Sequence, residues 1–90
     1  MRFYRGDYQV RDQEVIESRD LKTITSMLQD KLERIKSDPA TWQTLYYCKD
    51  DNSFWLMSYE QPEMHGGGIK VLREIPKSDA DKFRNKLEKK

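Results

Sequence analysis

The side chains able to do chemistry cluster between Asp50 and Gly68. They are Asp50, Asp51, Glu60, Glu63 and His65, with the run Glu63-Met64-His65-Gly66-Gly67-Gly68 carrying the only histidine of the chain. Three chemistries suit these types. Glycine amides after a histidine form an oxyanion hole in some esterases, but that arrangement needs a serine on a G-x-S-x-G elbow, and no such elbow is present. A Cys–His pair would need Cys48 beside His65, yet Cys48 ends an apolar segment, where a buried structural thiol is expected. A metal site would need further histidines or a converging carboxylate cluster. The glycines also lack the Lys-Ser/Thr that completes a phosphate-binding loop. The expectation is no enzyme, no cofactor and no metal. Adjacent glycines lose much backbone freedom on folding, so the run must serve an unusual backbone path or a surface that a partner touches.

Charge is arranged unevenly around this cluster. Residues 50–63 hold four acids and no Lys or Arg, whereas residues 76–90 hold six cations against three acids. Overall the chain is close to neutral, at +1. An acidic loop region would complement a basic partner, and the near-neutral total argues against a general nucleic-acid coat or a basic membrane binder.

The elements that must position the cluster are legible from periodicity. Phe3–Val10 reads as a strand interrupted at Gly6, Arg11-Asp12-Gln13 as a turn, and Glu14–Glu17 as a short second strand. Leu21, Ile24, Leu28, Leu32 and Ile35 recur at helical spacing, with Asp20 as N-cap and Pro39 as terminator, so a long helix is expected from Asp20 to beyond Ile35. Trp42–Cys48, Phe54–Tyr59 and Ile69–Ile75 read as strands rich in aromatic and β-branched residues. Ser78-Asp79-Ala80-Asp81 resembles a capping box ahead of a basic helix striped by Ala80, Phe83 and Leu87. The order implies one α+β domain over residues 1–90. Its antiparallel sheet has three or more strands, with the long helix and the C-terminal helix packed on one face. Trp42, Tyr46, Trp55 and Tyr59 are expected in the thin core, with surface anchoring as the other role open to large aromatics.

Ninety residues suffice for one small core. A single cysteine forms no internal disulfide and suits a reducing cytoplasm. No apolar stretch reaches the length of a membrane span. An exposed sheet edge could pair two copies.

Three segments together resemble a known family. They are Trp42-Gln43-Thr44-Leu45-Tyr46, then Asp51 through Trp55, then Tyr59-Glu60-Gln61-Pro62-Glu63-Met64-His65-Gly66-Gly67-Gly68. The pattern W-x-x-L-Y, a D-G-R-like turn, an aromatic-W strand and Y-P-Q-S-x-M-H-G-G-G is similar to family twenty-seven of the immunity proteins of bacterial polymorphic toxin systems. The resemblance covers about residues 20–75. The chain departs from the pattern at Asn52 in place of the turn glycine, at Leu56, at Glu60, and at Ile69-Lys70. The resemblance implies a non-enzymatic protein that binds and neutralises a cognate toxin domain, with a basic nuclease as one such partner. It places the expected contacts on the loops at 50–53 and 60–68: Asp50, Asp51, Trp55, Tyr59, Glu60, Glu63 and His65. Gly66, Gly67 and Gly68 would be a structural loop, and His65 itself has a scaffold role open to it.

The order helix, three strands, basic helix also matches a double-stranded RNA-binding module, which would set Lys77, Lys82, Arg84, Lys86, Lys89 and Lys90 on phosphates. Asp79, Asp81 and Glu88 dilute that helix, and acidic loops would repel RNA, so nucleic acid is disfavoured as a partner.

Overall fold

The structure is a computed structural model that describes residues 1–60 and 68–88, the side chains of 87 and 88 excepted. In chain order the elements are β1 (Phe3–Gly6), β2 (Tyr8–Arg11), β3 (Glu14–Glu17), α1 (Arg19–Asp30), β4 (Leu32–Asp38), β5 (Gln43–Cys48), β6 (Ser53–Glu60), β7 (Ile69–Ile75) and α2 (Lys77–Glu88). The fold is α+β. Five strands form an antiparallel sheet in the order β1-β7-β6-β5-β4, and β2 and β3 form a separate hairpin. The hairpin turns through Asp12 and Gln13, both in the left-handed region at φ 50° and 69°, which matches the twist of two-residue hairpin loops.

Two expectations about the first helix are corrected. Its N-cap is Ser18, whose hydroxyl accepts from the Leu21 amide at 3.1 Å, while Asp20 sits inside the first turn. The helix ends at Asp30, and Leu32–Asp38 is the edge strand β4. Leu32 and Ile35 are three residues apart, which on a helix means one face. On a strand the same spacing points them to opposite faces, and each meets a different core here. Leu32 joins Ile24, Cys48, Trp55, Met57 and Leu72. Ile35 packs with Leu45, Leu56, Ile75 and Ala80. A bulge between Arg34 and Lys36 and the charges of this strand are devices that discourage pairing at an edge.

The same two cores show where the helices lie. Alternation along β6 sends Trp55 and Met57 toward Ile24 of α1, and Leu56 toward Ala80 of α2. The helices therefore cover opposite faces of the sheet rather than sharing one. α1 approaches β1 closely because Gly6 has no side chain: a Cβ there would lie 2.9 Å from Leu21 Cδ1 and 3.1 Å from Ile24 Cδ1. α2 begins at Lys77, with the Pro76 carbonyl accepting from the Ala80 amide at 3.1 Å, so Ser78 lies within the first turn rather than ahead of it.

Candidate functional site

The expected site residues fall at two ends of the sheet. The β5–β6 turn carries Asp50 and Asp51, whereas Tyr59 and Glu60 close β6 at the other end. Eight residues of strand at about 3.3 Å each separate the two ends by roughly 25 Å.

At the turn end, polar groups are consumed by one another. Trp55 is fully buried. Its indole N–H donates to Ser53 Oγ at 2.8 Å, and that hydroxyl donates to Asp51 Oδ1 at 2.5 Å. Asp51 Oδ2 accepts from the Arg2 guanidinium at 2.6 Å, and Arg2 Nε donates to Glu74 Oε1 at 3.0 Å. The guanidinium carbon lies 4.8 Å from the Trp55 ring centre, and Tyr4 stacks on the same indole at 5.9 Å. Hydrogen bonds from Ser53, and then from Arg2, hold the Asp51 carboxyl well below the usual carboxylate range. The hydrogen bond from Arg2 also lowers the pKa of Glu74. Glu74 and Asp51 in turn hold the guanidinium more firmly protonated.

The acids that looked unopposed in sequence thus meet cations from distant parts of the chain. Lys49 pairs with Glu33 at 2.6 Å and Lys31 approaches Asp50 at 3.9 Å. Arg5 pairs with Glu60 at 2.9 Å. Asn52 stands at φ 57°, a left-handed position. Asparagine tolerates that region, and its side chain accepts from the Tyr47 hydroxyl.

The other end is different in kind. Trp42 is 62% exposed, contrary to its expected place in the core. Its φ is 59°, a left-handed conformation in which a bulky side chain is strained. It stands edge-on to Tyr59, with ring centres 6.4 Å apart and planes at 89°. The two rings border a groove of about 380 Å³ floored by Met57, Thr44 and Pro39. Beneath, the buried Asp38 carboxylate accepts from Thr41 Oγ1 at 2.9 Å and from the Ala40 amide at 3.0 Å, fixing the turn that presents Trp42. The Thr41 hydrogen bond lowers the pKa of Asp38, so the brace stays ionised at neutral pH. Burial raises that of the neighbouring Tyr46 phenol.

Of the expected contacts, Tyr59 and Glu60 lie at this end, Asp50 and Asp51 at the other. Trp55 offers no surface to a partner and instead supports the Asp51 turn from beneath. Glu63, His65, Gly66 and Gly67 lie outside the described residues. Gly68 takes φ 89°, which only glycine adopts without strain. Glu60 and Ile69 are register partners, so both flanks of the glycine run belong to the Trp42 end. Trp42 was the functional candidate least legible in sequence. Its one signal is position: it follows Pro39-Ala40-Thr41, inside a turn rather than within the strand it introduces.

Among the described residues, no group of three or more His, Cys, Asp or Glu side chains could hold a metal ion. Nor is any helix among them long and apolar enough to cross a membrane. The family model described as Immunity protein 27 matches residues 10–76. Neither a curated protein nor a solved structure matches the chain.

Proposed function

The chain belongs to the Immunity protein 27 family, and from that premise we propose that it binds a cognate bacterial toxin domain and neutralises it by docking the Trp42 end of the sheet against it. The observation that carries the choice of surface is Trp42 itself. A large aromatic held exposed and in a strained conformation costs stability without filling the core. Such a ring gains most when a partner desolvates it, and tryptophan is among the residues that dominate interface energy. The groove beside it would take an apolar side chain of the toxin. Tyr59 forms its wall, and Glu60 supplies a polar contact at that end of β6.

The Asp51 end lacks these properties. Its carboxylates already have internal cations, so a partner would have to displace Arg2 before pairing with Asp51, and exposed pairs of this kind return little. The reading therefore rests on packing rather than on attraction between an acidic loop and a basic toxin. Inhibition by occlusion requires no catalysis by this chain, and the encounter belongs in the cytoplasm of the producing cell, where an unpaired Cys48 stays reduced.

Co-expression with the neighbouring toxin domain tests the reading. Wild-type chain is expected to restore growth and to co-purify with the toxin, and Trp42→Asn to lose both while melting like the wild type. Failure of the wild-type chain to rescue or bind the toxin would overturn the reading.

A further inference from the structure

On the face opposite α1, the sheet and α2 enclose a second groove of about 300 Å³. Leu56, Ile75 and Phe83 give it an apolar floor, and Arg73, Lys82 and Lys86 stand around its rim. Lys77, at the start of α2, pairs with Asp81 at 3.5 Å. No ion pair among the described residues engages Arg73 or Lys82, while the Lys86 charge already acts on the Asp38 carboxylate. Among the described residues Asp79 is the one acid lining the groove, so its described lining carries an excess of positive charge over an apolar floor. Phe3 is the register partner of Arg73 and is half exposed, extending the apolar surface across the sheet.

We propose that this groove receives an acidic segment of a protein partner, with one large apolar side chain seated between Ile75 and Phe83 and flanking carboxylates paired with Arg73, Lys82 and Lys86. Both halves of the site are needed for that assignment. Unpaired cations alone would suit any polyanion, including an RNA backbone. An apolar floor gains nothing from phosphates, and Asp79 repels them. A carboxylate-flanked aromatic or leucine satisfies the rim and the floor together. The site lies on α2 and the α1-distal face and shares no lining residue with the Trp42 groove, so it does not depend on the toxin reading.

The test uses the full chain, isotopically labelled, titrated with acetyl-Glu-Glu-Phe-Glu-Glu-amide and followed by amide and methyl shifts. The expected result is saturable binding with shifts centred on Leu56, Ile75 and Phe83. Replacing the central phenylalanine of the peptide by glycine should weaken binding at least about tenfold, and so should the double change Lys82→Glu and Lys86→Glu. Both lysines are exposed, but Lys86 acts on the Asp38 carboxylate, so the melting of the double change is measured alongside, and Arg73→Gln provides a second variant should the double change impair folding. The proposal fails if no saturable shift appears at up to about 5 mM peptide, the edge of weak specific affinity. Equal binding of the glycine peptide also overturns it, as does tighter binding at these residues by an RNA duplex of about 16 base pairs.

Discussion

The two ends of β6 hold aromatic residues of the same sequence pattern and use them in opposite ways. At one end Trp55 is buried, hydrogen-bonded through Ser53 to Asp51 and capped by Arg2. At the other, Trp42 is exposed, strained and hydrophobic beside an open groove. The first arrangement satisfies every partner internally and leaves little to offer another molecule. The second leaves apolar surface uncovered in a domain too small to waste it. The two ends thus divide into one whose side chains secure the fold and one that leaves apolar surface open, and only the three-dimensional environment tells them apart.

The largest expected effect comes from the buried end. Trp55→Ala removes a fully buried indole together with its hydrogen bond to Ser53 Oγ, and should destabilise the chain by about 3–5 kcal/mol in urea titration. A loss under about 1 kcal/mol would mean that this end is not the anchor described here.

Next is Trp42→Asn. Asparagine accepts the left-handed conformation, so stability should change by less than about 1 kcal/mol. Affinity for the toxin domain should nevertheless fall about thirtyfold or more, the equivalent of ~2 kcal/mol. Matched falls in melting and affinity would erase the distinction between the two ends.

The paired carboxylates give a pH signature that sharpens the contrast. The folded pKa values of Asp51 and Glu74 lie below their ordinary values of 3.8 and 4.5. Stability from these groups is therefore fully present above about 4.5 and is lost as pH falls through that value toward their folded values. Arg2→Gln should be less stable than the wild type at neutral pH, and the gap in melting temperature should narrow progressively as pH falls below about 4.5 toward the folded values of the two carboxylates. A gap that persists unchanged in acid would place the contribution of Arg2 in its packing on Trp55 instead.

The smallest effect is expected at Asn52. Asn52→Gly relieves the left-handed position but removes the bond from Tyr47, so stability should stay within about 0.5 kcal/mol of the wild type. A larger loss would make that hydrogen bond part of the turn's anchor.

How much of this was legible in the sequence follows from the range over which each signal acts. β5, β6 and β7 were legible because runs such as Phe54-Trp55-Leu56-Met57 and Ile69-Lys70-Val71-Leu72 carry strand composition locally. The helical start near Ser18 was legible to within two residues. β4 was not, because Leu32 and Ile35 sit at a spacing that fits a helix, and only the two-faced core gives that spacing a different meaning. The opposite placement of the helices is likewise a consequence of tertiary packing that neither helix encodes alone. Of the candidate site, Tyr59 and Glu60 were found beside the glycine run, since they adjoin it in sequence. The neutralisation of Asp51 was hidden because Arg2 reaches it from 49 positions away. The exposure of Trp42 was hidden because tryptophan at the start of a strand is ordinarily core.

The most direct test of the central claim is a calorimetric titration of the cognate toxin domain into three proteins: the wild type, Trp42→Asn and Asp50→Lys. The account predicts a loss of affinity of about thirtyfold or more for Trp42→Asn and a change within about threefold for Asp50→Lys. Unchanged affinity in Trp42→Asn together with a large loss in Asp50→Lys would contradict it and move the interface to the opposite end of the sheet.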